Sequence, residues 1–135
     1  MNGKILLIIW GLLINVTCFA QMNISTDLRE DFVWSESQED WIIVSSDDSE
    51  FTFLKINEQF TMFKHTTPSI TSAYIINSNE YDEERDQYTF DITSDVGNNY
   101  MMIIDIKNSN VRFIGENEDG LYLIRHNIKK LWIDD

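Results

Sequence analysis

From Asp40 onward, short runs of β-branched and aromatic residues alternate with clusters of Asn, Asp, Ser and Gly, and no segment sustains a helical period. The runs predict eight strands, near Trp41–Ser45, Glu50–Ile56, Gln59–His65, Ile70–Ile76, Gln87–Thr93, Tyr100–Ile106, Val111–Ile114 and Leu121–His126. The clearest is Gln87–Thr93: Tyr88, Phe90 and Ile92 share one face, and Thr89, Asp91 and Thr93 the other. That alternation marks a sheet buried on one side only. Tyr100–Ile106 is apolar on both faces until Asp105, which predicts a central strand whose second face returns to water at Asp105.

The connections are short. Asn57-Glu58 reads as a two-residue hairpin turn, and residues 94–99 and 107–110 as hairpin loops. Asn117–Gly120 is a further return, with Gly120 free to take the left-handed conformation. Parallel neighbours would need crossovers of a dozen or more residues, for which the last four strands leave no room. The single proline, Pro68, lies between strands. Eight strands leave two open edges unless the sheet closes. The expected fold is therefore all-β: an up-and-down antiparallel meander of about eight strands, closed or curled into a small barrel.

Both ends of the domain are weaker. Residues 21–30 are polar and predict an N-terminal arm, with Thr26 or Asp27 able to cap a helical turn leading into Phe32-Val33-Trp34. At the other end, Ile124, Ile128, Leu131 and Trp132 follow a 4-3 spacing that fits a short C-terminal helical turn as readily as an extended edge segment. Trp34 and Trp41 flank the acidic Ser35–Asp40 stretch and are expected to close the bottom of the sheet.

The leader changes the picture. Lys4 precedes an unbroken apolar run, Ile5 to Ile14, followed by Asn15-Val16-Thr17-Cys18-Phe19-Ala20 and then Gln21. A charged start, an apolar core of about ten residues and a small residue at the exit are the layout of a cleaved secretory signal peptide, bacterial in style. The run falls short of the ~20 residues that span a bilayer. Residues 1–20 are thus expected to be removed, leaving one domain, 21–135, secreted or periplasmic. Lipidation at Cys18 is the weaker alternative, because Thr17 and Asn15 stand where such sites want a small and an aliphatic residue.

Without Lys4 the ten basic residues become nine against 23 acidic ones, a formal charge of −14. No Lys/Arg cluster is available for phosphates, which argues against nucleic acid and anionic membranes. The charge attracts basic partners or cations, though solubility is its commoner role. Aromatics at 13% separate the chain from disordered acidic tails. Cys18 is the sole cysteine, so the mature domain holds no disulfide and must rest on burial and strand pairing. The Asn23-Ile24-Ser25 triplet carries little weight as a glycan acceptor in a bacterial-style protein. Outer-membrane strands run about nine to eleven residues. The predicted strands are shorter, and Lys55, Lys64, Asp91 and Arg112 would interrupt a lipid-facing belt.

No catalytic, cofactor-binding or metal residue can be assigned from this sequence. Zinc needs three or four ligands, and the mature chain offers only His65 and His126, far apart. Three acidic loops, Asp47–Glu50, Glu80–Asp86 and Glu116–Gly120, miss the calcium-loop spacing and read as solvated charge. There is no Gly-x-Ser-x-Gly elbow or glycine-rich phosphate cradle. Paired carboxylates always exist on paper among 23 acids, so they carry no signal. Phe51, Phe53, Phe60, Tyr74, Tyr88, Phe90, Tyr100, Phe113 and Tyr122 fall on strands; they fill a barrel more readily than they line a pocket in its mouth. The meander resembles the general plan of lipocalin-like and other small secreted barrels, a likeness of architecture that fixes no function. The expectation is a non-enzymatic barrel binding an unidentified protein or small apolar ligand. Two alternatives stand beside it: an acidic inhibitor-like or structural protein for a basic partner, and a hydrolase with an unrecognised carboxylate site.

Overall fold

The computed structural model describes residues 21–134, so the expected leader and Cys18 lie outside the described residues. Nine strands follow in order: β1 (Met22–Ser35), β2 (Asp40–Asp47), β3 (Thr52–Ile56), β4 (Met62–Thr66), β5 (Thr71–Asp82), β6 (Gln87–Ser94), β7 (Asn99–Asp105), β8 (Asn110–Asn117) and β9 (Gly120–Ile133). Every pairing is antiparallel, and the β1–β9 ladder closes the sheet into a barrel. β2 and β3 lie one after the other along the same edge of β1, opposite Arg29–Ser35 and Met22–Thr26 respectively. Together they make one barrel position broken at residues 48–51, so the barrel has eight positions and β2 is an extension of the hairpin it forms with β1.

All eight expected strands have counterparts, but the ends do not follow the expectation. The predicted N-terminal arm is β1, one of the two longest strands and the closure of the barrel. Of the two readings of the C-terminus the extended one holds and the helical turn does not: the segment is the second half of β9, paired with β1 down to Met22↔Ile133. Its helix-like spacing has a strand explanation. Ile124 to Ile128 is two strand periods, and the register then slips, Thr26↔Ile128 being followed by Ser25↔Lys130. That bulge inserts one residue, so the next side chain to face Ile24 is Leu131.

Smaller corrections have local causes. Asn57-Glu58 is not a two-residue turn: residues 57–61 connect β3 to β4, with Phe60 at φ 55°. The Asn57 side-chain carbonyl accepts from the N–H of Thr61 and of Met62, which delays the strand predicted from Gln59. Gly120 does take positive φ, +117°. Asp105 does not return to water; it is buried, accepting from the Asn108 backbone N–H at 3.1 Å and from Arg112 Nη2 at 3.3 Å. These partners offset the cost of burying a carboxylate. The outward face of β7 is half open, with Met101 exposed, because a closed sheet has no central strand. Trp34 and Trp41 meet edge to face at 5.3 Å on the β1–β2 hairpin and do not close the barrel. Three strands, at 12 and 14 residues, are longer than expected, while Lys55, Lys64 and Asp91 stand exposed on the outer face. Among the described residues no helix is long and apolar enough to cross a membrane.

The core lies inside the barrel: Ile24, Leu54, Ile56, Phe63, Phe90, Ile92, Met102, Ile104 and Val111 are at most 1% exposed. Phe60, where the chain reverses, packs against Tyr88 and Phe90. Asn23, in the glycan triplet, is buried.

Candidate functional site

Above this core the interior turns polar, and a slip in β1 is the cause. Met22, Ile24 and Thr26 face inward at even positions. The β1–β9 register then jumps from Thr26↔Ile128 to Leu28↔Asn127, inserting Asp27. After one extra residue the inward positions are odd, so Arg29 lies opposite His126 on the inner face and Glu30 turns outward to Arg125, 2.9 Å away.

Arg29, His65, Tyr74, Tyr100, Phe113, Tyr122, Ile124 and His126 line a half-enclosed cavity of about 190 Å³. The concavity over Asn77, Asp91 and Met101 is a more open surface groove. His65 stacks on Phe113 with ring centroids 5.5 Å apart and meets His126 edge-on at 5.7 Å. Tyr74 stacks on Phe63 at 4.7 Å and meets Tyr100 edge-on at 6.4 Å. Gly115, facing Tyr122 across the β8–β9 ladder, leaves room for both upper tyrosines. A Cβ at this position would lie 2.5 Å from Tyr122 Oη and 2.9 Å from Tyr100 Cδ1.

The electrostatics of the cavity are those of a neutral site. Burial opposes the Arg29 charge, but Asp31 at 2.9 Å and Glu50 at 3.4 Å more than offset it, and the guanidinium titrates above its ordinary value. Burial, then the fields of His126 and Arg29, push His65 down to about 4. Burial and Arg29 lower His126 as well, against the influence of the Leu28 backbone and the pull of Glu50 and Asp31. Both imidazoles are therefore neutral at pH 7. His126 is 2% exposed, and its Nδ1 has no partner; nor does His65 Nε2. Burial and neighbouring phenols raise the Tyr74 and Tyr122 hydroxyls, keeping them protonated donors. The lining carries no carboxylate. Chemically it offers hydrogen bonds and ring stacking.

Sequence reasoning named His65 and His126 but had no means of joining them; the registers bring them into one layer. Tyr74, Tyr100, Phe113 and Tyr122 were among the aromatic candidates, whereas Phe51 is exposed and Phe90 is core. Arg29 was missed because the bulge that turns it inward has no signature in the sequence pattern.

The three acidic loops stay apart. Glu80–Asp86 spans the β5–β6 turn and Glu116–Gly120 the β8–β9 turn, at opposite ends of the barrel. Among the described residues no group of three or more His, Cys, Asp or Glu is placed to hold a metal ion. Asp47 is held below the usual carboxylate range by the Ser49 hydroxyl and backbone N–H. Titration with calcium at fixed ionic strength is expected to give no saturable isotherm, and thermal melts in calcium and magnesium should coincide. A calcium-selective micromolar isotherm would contradict this.

No protein-family model, no curated protein and no solved structure matches this chain.

Proposed function

We propose that the protein is an exported, non-enzymatic barrel that binds one small neutral ligand in its polar upper interior. The convergence of Arg29, two neutral histidines and three tyrosines on a half-enclosed cavity of about 190 Å³ carries this reading. A cavity of ~150 Å³ holds benzene, so the site suits a ring of phenol size. Apolar walls with a few placed polar groups are the usual make-up of a small-molecule site. Charge decides the chemical class. A carboxylate would need a free cation, but Arg29 is committed to Asp31 and Glu50, and the histidines are uncharged at pH 7. His126 Nδ1 and His65 Nε2 are buried without a partner, and a neutral imidazole nitrogen donates or accepts according to its tautomer. A ligand hydroxyl, donor and acceptor at once, partners either form.

The test titrates phenol, benzoate and benzylamine into the ¹⁵N-labelled protein and follows the amide resonances of His65, Phe113 and His126. Phenol is expected to give saturable shifts there, with the two charged probes at least ten-fold weaker. Gly115→Ala should drive the Tyr122 and Tyr100 rings into the cavity. It should weaken phenol at least ten-fold while lowering stability by about 1–3 kcal/mol through overpacking. Shifts confined to the outer surface, or tighter binding of benzoate, would overturn the reading.

A further inference from the structure

β2 has a strand on one side only. It pairs with β1 from Arg29↔Asp47 to Ser35↔Asp40, and among the described residues nothing pairs with its other edge. Open edges are usually blunted by lysine, proline or strong bulging. Asp40–Asp47 contains neither Lys nor Pro, and one register slip, which leaves Val44 unpaired, is its sole irregularity. The hairpin is also apolar where it meets water: Val33, Trp34, Ile43 and Val44 are exposed. At its Asp47 end the strand borders a groove of about 600 Å³ between residues 47–50 and 67–70.

Charge names the occupant. Between Arg29 and Lys55 the chain carries eight acidic side chains and no basic one. Glu30, Asp31 and Glu50 are spent on Arg125 and Arg29. Glu36, Glu39 and Asp40 at the hairpin tip, and Asp47 and Asp48 at its base, form no ion pair among the described residues. A second copy laid antiparallel on this edge would set Asp40 against Asp47 at both ends, and like charges across a ladder repel. We propose that the β2 edge accepts an extended segment of a partner protein by strand addition. The segment would alternate β-branched residues over about eight positions, ~26 Å of strand, and carry Lys or Arg at both ends. The ladder's main-chain hydrogen bonds supply affinity; the acidic ends select the partner and speed its approach.

The probe is a fluorescein-labelled peptide, Lys-Lys-Val-Thr-Val-Thr-Val-Lys-Lys, read by anisotropy and by amide hydrogen exchange of residues 40–47. Saturable binding with at least ten-fold slower exchange in β2 is expected. N-methylation of alternate peptide amides keeps charge and side chains but removes the ladder, and should weaken binding at least ten-fold. Glutamate in place of the four lysines should do the same. The double variant Asp40→Asn with Asp48→Asn should lower affinity several-fold. Gly115→Ala should leave it unchanged, which separates this surface from the interior site. Equal binding of the N-methylated peptide would reduce the effect to charge alone and overturn the proposal. So would self-association of the protein that protects β2 without peptide.

Discussion

Phe90→Ala is expected to cost about 3–5 kcal/mol of stability, the loss typical of a large side chain whose cavity cannot collapse. Phe90 stands mid-strand on β6, fully buried, with Met102 opposite it on β7 and the rings of Phe60 and Tyr88 at 5.8 and 6.1 Å. A closed barrel cannot bring its walls together without breaking ladder bonds, so the void persists. Domains of this size hold only ~5–15 kcal/mol in all, and the variant should sit near the edge of folding. Urea unfolding with Phe51→Ala as control measures it. Phe51 is 54% exposed, and its loss should stay within about 1 kcal/mol. Equal costs for the two would mean that the inner face of β6 is not the packed one.

The same strand shows what made the fold legible. Tyr88, Phe90 and Ile92 alternate with Thr89, Asp91 and Thr93 because one face of the sheet meets the core and the other meets water. β1 obeys a different logic. It pairs with β9 along one edge and with β3 and then β2 along the other, so ladder bonds hold it where apolar alternation is missing. It also buries a polar pair: Thr26 Oγ1 and Thr52 Oγ1 lie 2.8 Å apart inside the barrel, one donating to the other, and the Thr52 N–H donates to Thr26 Oγ1 at 3.2 Å. A reader of the sequence sees only a polar segment there.

Bulges hid the rest. One turned Arg29 inward against its parity, and another gave Ile128 and Leu131 a helical spacing within a strand. Both lie on the β1–β9 ladder, which closes the barrel. Closure demands tilt and curvature, and an inserted residue is a common way to bend a strand. The irregularities follow from the global requirement of closure, which no local window of sequence expresses. The candidate site occupies the layer next to one of them, so its residues could be listed singly from the sequence but not assembled.

Acid should destabilise the protein well before its carboxylates protonate, and the two buried histidines are the reason. An unfolded histidine takes its proton near pH 6.5, whereas His65 in the barrel resists until about 4. Between those values the unfolded chain binds more protons than the folded one, so stability falls as pH drops from about 6.5 toward 4 and levels off below that. Above pH 7 neither state is protonated and the contribution is flat. The width of the window corresponds to about 3 kcal/mol for His65, and His126, lowered in the same direction, steepens the loss. Asp47, held below its usual range, acts in a more acidic window and does not obscure this one. His65→Phe keeps the stacking on Phe113 and removes the proton site, so it should flatten the slope between pH 6.5 and 4 and leave the variant more stable than the parent at pH 4.5. Urea midpoints at pH 7.0 and 4.5, with NMR titration of both imidazoles, decide the matter: two histidines titrating near 6.5 would show that the interior layer is wet and would remove the case for a neutral binding site. The same linkage ties ligand to pH: protonation makes both ring nitrogens of His126 donors and adds a positive charge to the site, so the preference should move from phenol toward benzoate.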